Sequence, residues 1–421
     1  MSDELEPDSQ QRSARLLLVA LVSLGFVARL TLAFAMGDGH AARQPESAEY
    51  LAIARSVAEG DGFVLPAAST TGPADGGAGA DAARHMPGYP LILAAAEAAF
   101  DAPDRAVLIF QSLCGGATLI VVIAMAARLA GLWAAVVAGA MLTFDPYQVY
   151  FSAQMVPVVP VGLALVAVTA LTLKFLGGVS NGARRGWVWA ALAGLALAAA
   201  TYLEAWAAGF VLLAGLAALA AKQRKRLLTG WAVAVAALVV ALAPWLIRNA
   251  VEVGAPVLTT DAGLRLYEGT IPTGDRPEVP APPEGVDEVG RCVFYLRHAA
   301  GRIAEVPASW LGRAPHRVGR LWAPGSITGA DGGPLHPAAG YTSLLPTAAL
   351  ALVGLAVFRR RRVTLWLLLA PVYVTLVHVV LPGPASDRLA VMPSLAVLGG
   401  VGVATLLGRG EQAIPDSGSG H

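Results

Sequence analysis

Long apolar runs separated by short polar turns dominate the chain. A helix rising 1.5 Å per residue needs about 20 apolar residues to cross the hydrocarbon core of a bilayer. Ten stretches meet or approach that length: 16–36, 106–127, 131–149, 156–176, 187–203, 205–221, 228–247, 341–358, 363–381 and 389–408. The fifth and sixth are separated only by Tyr202, Leu203, Glu204 and Ala205, so a tight turn is expected there. A further apolar stretch, 90–100, is too short to span. With Glu97 inside it, it suits a helix lying in the interface. Two long polar loops, 37–105 and 248–340, interrupt the apolar pattern. The second is too long for a plain connector and is expected to form small helices of its own. The pattern predicts an all-α polytopic membrane protein with about ten transmembrane helices and two long outer loops containing short interfacial helices.

Residues 1–15 form a polar tail, 16–408 the membrane domain, and the Gly/Ser-rich 409–421 a tail expected to be disordered. The stretch 1–13 does not resemble a cleaved signal, so the first span is expected to be retained. Orientation follows from Lys and Arg in the short loops. Placing the N-terminus in the cytoplasm with Arg12 and Arg15 puts most basic clusters on one side. These are Arg128; Lys174, Arg184 and Arg185; Lys222, Arg224, Lys225 and Arg226; and the run 359–362. The opposite turns, 150–155, 202–205 and 382–387, carry no Lys or Arg. Both termini are then cytoplasmic, both long loops face outward, and the inner (plasma) membrane is the expected location. The Pro-rich stretch 276–284 reads as an irregular part of the second outer loop.

Composition agrees. Of 421 residues, 56% are hydrophobic and 14% charged, with a mean hydropathy of +0.60, whereas soluble domains carry about 25% charged residues. A net charge of +1 argues against an electrostatic nucleic-acid binder. Cys114 and Cys292 imply neither a zinc site nor a disulfide framework. No His/Asp cluster has ligand spacing, so no metal or other cofactor is indicated.

The first outer loop holds the densest candidate chemistry. Glu46, Ser47, Glu49 and Tyr50 open a helical pattern in which Ala48, Leu51, Ala52, Arg55 and Ala58 recur. A carboxylate at a helix start is stabilised by the dipole and free N–H groups, so Glu46 reads either as a cap or as a reactive acid. Glu49 reads as a solvated or salt-bridged helix residue. Arg84 and His85, beside Met86-Pro87-Gly88-Tyr89-Pro90, suit either a phosphate or lipid headgroups.

Elsewhere, Arg248 follows Pro244-Trp245 on the outer side against the basic trend, which calls for a local anionic partner or snorkelling to headgroups. Asn249 follows it, and a Gly/Thr/Tyr-rich run containing Tyr267 offers weak hydrogen-bonding potential for a polar ligand. Arg388 is again basic on the outer face, with Asp387 beside it as a local neutraliser. If Arg84, Arg248 and Arg388 converge, they can hold a dianionic headgroup. Asp145-Pro146 reads as a helix stop. His298, Arg302, His316, Arg317 and Arg320 read as a solvated or headgroup-facing surface. His378, inside a span, calls for a hydrogen bond to a neighbouring helix.

Four stretches taken together resemble the GT-C class of integral-membrane glycosyltransferases, in the branch of the protein O-mannosyltransferases and the aminoarabinose transferases of lipid A (glycosyltransferase family 39-like). The first is Glu46 to Arg55 with Gly60-Asp61-Gly62-Phe63, and the second His85 to Pro90. The third is Pro244-Trp245 with Arg248-Asn249, followed by Gly254 and the run from Gly263 to Pro272, and the fourth Arg388 to Pro393. The resemblance implies a transferase that moves a sugar from a polyprenyl-phosphate donor to an acceptor hydroxyl at the outer face, with inversion. The acceptor would be a glycan, a lipid or a protein; membrane lipids are the surroundings and nucleic acid is not a partner. An acidic residue early in the first outer loop is implied as general base; Glu46 holds that position where the family usually has Asp, with Glu49 as the rival. Arg84, His85, Arg248 and Arg388 are implied as donor-phosphate contacts, and Tyr50, Tyr89, Asn249 and Tyr267 as substrate contacts. A second acidic position of the family is occupied here by Val158, with Gln154 the nearest polar group. That departure keeps a second reading open, a non-catalytic relative that binds lipid or assists assembly. A secondary transporter or flippase is the third, disfavoured because no internal repeat is evident.

Overall fold

The computed structural model describes residues 7–35, 45–66, 81–180, 186–271, 279–324, 337–358 and 361–408. The two terminal tails, the basic positions Arg184, Arg185, Arg359 and Arg360, and Arg276 of the Pro-rich stretch lie outside the described residues. One antiparallel bridge joins Leu65 to Asp81; otherwise the regular structure is helical. The helices are α1 (Pro7–Ala35), α2 (Pro45–Glu59), α3 (Gly88–Ala99), α4 (Pro103–Thr143), α5 (Pro146–Phe151), α6 (Val158–Ser180), α7 (Gly186–Leu203), α8 (Phe210–Ala220), α9 (Arg224–Glu252), α10 (Ala262–Glu268), α11 (Glu288–Glu305), α12 (Pro307–Gly312), α13 (Ala314–Trp322), α14 (Pro337–Val357), α15 (Arg361–Val380) and α16 (Met392–Leu406). Short 3-10 turns, Ala205–Gly209 and Ala385–Ala390, precede α8 and α16.

Seven of the described helices are long and apolar enough to cross a membrane: α1, α4, α6, α7, α9, α14 and α15. The apolar stretches Ala205–Ala220 and Met392–Leu406 are shorter. α4 is not one straight rod, because Ala130 and Gly131 leave helical geometry and Gly131 takes φ 83°. A Cβ on Gly139 would lie 3.1 Å from Ile123, positions that a straight helix would hold about 24 Å apart. The chain therefore folds back at Gly131, a turn in the left-handed region that glycine adopts without a steric penalty. The stretches expected at 106–127 and 131–149 are its two arms. Asp145 ends the second arm and caps α5, accepting from the N–H groups of Tyr147 (2.9 Å) and Gln148 (3.2 Å).

Close helix contacts are made where side chains are smallest, as expected where lipid offers no hydrophobic drive to packing. A Cβ on Gly194 of α7 would stand 2.1 Å from the Ala234 carbonyl oxygen of α9. One on Gly402 of α16 would stand 2.3 Å from Gly354 Cα of α14. Large apolar side chains such as Leu212, Val240 and Leu352 are left exposed around the bundle, a surface suited to lipid rather than water. The sequence reading passed over one intramembrane charge. Arg29 of α1 is 1% exposed; it donates to the carbonyls of Gly25 (2.8 Å) and, across to α4, Leu142 (3.4 Å). Gly115 leaves room for its guanidinium, since a Cβ there would come within 2.6 Å of Arg29 Nε.

The loop segments gather at one end of the bundle, where α2 packs on α3, α10 on α11, and α13 against the 385–390 turn. The helix expected to lie in the interface at 90–100 is α3. One face of it, with Tyr89, Pro90, Leu93, Ala94 and Ala96, is buried in the protein, while Leu91 of the other face and Phe100 at its end are exposed. The second outer loop forms α10 to α13, as its length implied.

Replacing Gly402 by Leu forces α14 and α16 apart and is expected to destabilise the protein by about 1–3 kcal/mol or more, read as a lower melting temperature in detergent. Gly301, whose Cβ position meets open space within α11, is the control. Gly301→Ala should be neutral, or stabilising by about 0.5–1 kcal/mol.

Candidate active site

The site begins at the start of α2. The Ser47 hydroxyl is fully buried and donates to the Met155 carbonyl at 2.8 Å. This pins the first turn of α2 over the turn that enters α6. Glu46, one residue earlier, then lines a cavity of about 260 Å³ between helices. The same cavity is lined by Glu204, Asp387, Trp206, Phe151, and a wall of Val156, Pro157, Val158 and Val161. Glu204 sits in the tight turn expected between the fifth and sixth apolar stretches; it is extended (φ −146°, ψ 116°) at the break between α7 and the 205–209 turn. Asp387 is brought in by the 385–390 turn, where its carboxylate stands 3.4 Å from His378 Nε2 of α15.

Val158 is thus in the cavity wall where the family's second acid was expected. Gln154 does not replace it, being fully buried with its side chain donating to the Ala153 carbonyl. The fold nevertheless brings other acids to Glu46. Glu204 and Asp387 come from other turns to the same cavity. A signal for Glu204 was present in the sequence: an acid between two apolar stretches, in a turn without Lys or Arg. Among the described residues, no group of three or more His, Cys, Asp or Glu is placed to hold a metal ion.

Arg265 of α10 is the cation beside this cavity. It pairs with Asp261 one turn earlier and reaches Glu46 at 3.3 Å, both side chains of that pair remaining about one-third exposed. The sequence reading did not single it out, although the i,i+4 spacing to Asp261 was legible. The Asp261 carboxylate raises the Arg265 pKa well above its ordinary value, against the opposing effect of burial. For Asp261 itself, burial pushes upward, but Arg265, His85 and Arg84 outweigh it and the net shift is down. Glu204 moves the other way. Burial, then the Asp387 and Glu46 carboxylates, push its carboxyl well above the usual range, with Arg265 offsetting part.

Glu49, the rival base, is placed differently. It is 3% exposed, with His85 Nε2 at 2.5 Å and Arg84 Nε at 3.4 Å. A general base needs hydrogen-bond reach to the acceptor, whereas Glu49 is enclosed by the two cations proposed for phosphate. Arg84 also lies 3.6 Å from Asp81, which pairs with Arg291 of α11. The 81–84 segment is held by its backbone as well. Glu288 of α11 accepts from Ala82 N (2.8 Å), Ala83 N (2.9 Å) and the Thr260 hydroxyl (2.5 Å), and Thr260 N donates to Ala83 O at 2.9 Å.

The other sequence candidates are buried in packing. Arg248 donates to the carbonyls of Ala82 (2.6 Å) and Phe63 (3.1 Å) and to Asn249 Oδ1 (2.9 Å), lying over the rings of Trp245 and Phe63. Asn249, fully buried, donates to the Val257 carbonyl at 2.7 Å. Arg388, also fully buried, donates to Leu321 O (2.7 Å) and Ala323 O (2.6 Å) at the end of α13. The three arginines therefore do not converge on one anion; carbonyls and carboxylates of the protein engage each of them. Tyr50 packs edge-on against Tyr89 (5.3 Å). Its phenol is pushed well up in pKa by burial first and then by Glu204 and Glu46. The Tyr89 hydroxyl donates to Gln111 Oε1 at 2.8 Å. Tyr267 is buried against Tyr295 within the α10–α11 cluster.

With this geometry in hand, comparison with known proteins is informative. The profile of the dolichyl-phosphate-mannose-protein mannosyltransferase family matches residues 84–247. Among solved structures, the oligosaccharyltransferase of Archaeoglobus fulgidus in its apo form is similar with a TM-score of 0.54 at 12% identity, over 91% of this chain and 50% of that one. The archaeal oligosaccharyltransferase AglB from Archaeoglobus fulgidus, in complex with an inhibitory peptide and a dolichol-phosphate, is similar with a TM-score of 0.51 at 13% identity, over 91% of this chain and 50% of that one. The chain thus spans about half the length of these relatives. ArnT from Cupriavidus metallidurans, bound to undecaprenyl phosphate, has a TM-score of 0.43 at 15% identity, over 91% of this chain and 77% of that one. No curated protein matches the chain.

Arg388→Ala leaves the α13 carbonyls without their buried donor and is expected to cost about 3 kcal/mol or more, seen as a large fall in melting temperature without any lipid present. An unchanged melting temperature, with loss of affinity for a polyprenyl phosphate alone, would instead make Arg388 a ligand contact.

Proposed function

We propose that this chain, a multi-pass membrane protein of the GT-C fold, is a glycosyltransferase. It moves a sugar from a polyprenyl-phosphate donor to an acceptor hydroxyl at the loop-bearing end of the bundle, on the outer face of the inner membrane. The observation that carries the reading is the position of Glu46. Its carboxylate opens α2, lines the cavity between helices, and is paired with Arg265 at 3.3 Å. The relative solved with a dolichol-phosphate shares the fold, which supports a lipid phosphate as the class of donor.

The chemistry follows from the groups at hand. Glu46 accepts the proton of the acceptor hydroxyl as that oxygen attacks the anomeric carbon. The bond from that carbon to the phosphate oxygen breaks on the opposite side, so configuration inverts and the lipid phosphate leaves. Developing negative charge on the leaving group needs a cation, and fixed charges in a water-poor site stabilise it more than solvent would. Arg265, paired with Asp261 and Glu46 but one-third exposed beside the cavity, suits that role better than Arg84 and Arg388, which are buried, or Arg248, which is spent on the carbonyls of Ala82 and Phe63. Glu49, His85 and Arg84 form the support that sets the loop behind α2. Val158 leaves the wall facing these groups apolar.

The test separates the two acids. Transfer from labelled polyprenyl-phosphate sugars is measured for Glu46→Gln and Glu49→Gln in the purified full chain. Glu46→Gln should lower the rate by about 10²–10⁴-fold with little change in melting temperature. Glu49→Gln should lower the melting temperature, because His85 and Arg84 lose a buried partner. Full activity of Glu46→Gln would sink the base assignment.

A further inference from the structure

The protein does not balance the polar groups of the cavity. Glu46 is bonded to Arg265, and Asp387 stands near His378. The Glu204 carboxyl has neither an ion-pair nor a hydrogen-bond partner among the described residues, yet its backbone is fully used. Its N–H donates to Ala200 O at 2.9 Å and its carbonyl accepts from Ala207 N at 3.0 Å. The main chain is thereby satisfied at the α7 break, and the carboxyl is left lining the cavity. Around it stand an aromatic wall, Trp206 and Phe151, and an apolar one, Val156 and Val158. A mostly apolar cavity with an unpaired carboxyl, and with the Trp206 indole N–H likewise without a partner, fits a ligand that offers both a C–H surface and a hydroxyl. A sugar ring has both, and a bare phosphate has neither.

Resting on the transferase reading above, we propose that the Glu204 carboxyl hydrogen-bonds a hydroxyl of the donor's sugar ring across the cavity from Glu46, and so selects the sugar-bearing lipid over the bare lipid phosphate. The surroundings fit this role. The charged and titratable groups acting on Glu204 are Asp387 of the 385–390 turn, Glu46 and Tyr50 of α2, and Asp261 and Arg265 of α10. Burial and this mostly negative company favour the neutral carboxyl, which both donates and accepts a hydrogen bond. Ionisation removes the donor and adds a negative charge to a wall that already holds two carboxylates.

The experiment uses the full chain in detergent and compares two probes by thermal shift: undecaprenyl phosphate, and undecaprenyl phosphate carrying mannose, glucose or galactose. Wild type and Glu204→Ala should bind the bare lipid phosphate alike. Glu204→Ala should bind the preferred sugar-bearing lipid about 10-fold or more weakly. Glu204→Gln, which keeps one donor and one acceptor, should recover most of that loss. Affinity of wild type for the sugar-bearing lipid should fall as pH rises through the raised Glu204 value, and that of Glu204→Gln should not. A ligand-free check has a fixed sign. The folded value lies above the unfolded one, so the destabilisation begins above the ordinary carboxylate range of about 4.3 and grows until the folded value is passed. Over that window wild type should lose melting temperature relative to Glu204→Gln. Sugar-lipid binding by Glu204→Ala equal to wild type overturns the proposal and leaves the transferase reading standing. So does a folded Glu204→Gln that fails to recover binding. No response of wild type to any of these lipids overturns both.

Discussion

The loop-bearing end depends on how the backbone of 81–84 is held. Beyond the single bridge of Asp81 to Leu65, this segment has no sheet to satisfy its N–H and C=O groups, and buried backbone groups without partners are costly, about 1–3 kcal/mol each. The carboxylate of Glu288 takes two of its N–H groups, Thr260 N and Arg248 take two of its carbonyls, and Arg291 holds Asp81. These partners come from the end of α9, the loop beyond it, and α11. The two long loops therefore fold against each other. The same segment ends in Arg84 and His85, which close on Glu49 and so fix α2. Glu46 owes its position to partners far from it in sequence.

Charge is divided by depth in a consistent way. Three arginines are used as donors to backbone carbonyls: the buried Arg29 inside the bundle, the half-buried Arg248 at the end of α9, and the buried Arg388 against α13. Arginine suits this because its five N–H donors fan out in a plane and can serve several carbonyls at once. The cavity instead receives carboxylates, with Arg265 as the neighbouring cation. An outer basic residue in a chain of this kind is thus not by itself a sign of a phosphate site. The discriminating feature is whether the protein's own carbonyls already occupy it.

Apolar periodicity and loop length made most of the fold legible. The break between the fifth and sixth apolar stretches was readable from four residues, and the back-fold at Gly131 from the joint between two stretches. The character of α3 was not, because a half-apolar helix looks alike whether its partner is lipid or protein. In the site, Glu46 was legible from its place at a helix start and from family resemblance. Glu204 and Asp387 were not, since nothing local shows that the α7 break and the 385–390 turn face α2. The partners of Arg388 were hidden for the same reason: Leu321 and Ala323 lie more than sixty positions earlier in the chain. Long-range closure is what a single sequence carries most weakly.

The buried arginine of α1 bears on how the chain is assembled. Arg29 lies six positions before the end of its helix and draws on Leu142, a carbonyl in a segment made 113 residues later. During synthesis the first helix must meet the bilayer before that carbonyl exists. An arginine near a helix centre costs about 2.5–3.5 kcal/mol at insertion, less toward the interface. The run of leucines and valines before it outweighs that cost, and the long side chain can reach the headgroups meanwhile. Only when both arms of α4 have emerged, and Gly115 has opened a seat, can the guanidinium move inward. The order of helix arrival is thereby written into one side chain: the first span settles only after the hairpin that supplies the Leu142 carbonyl.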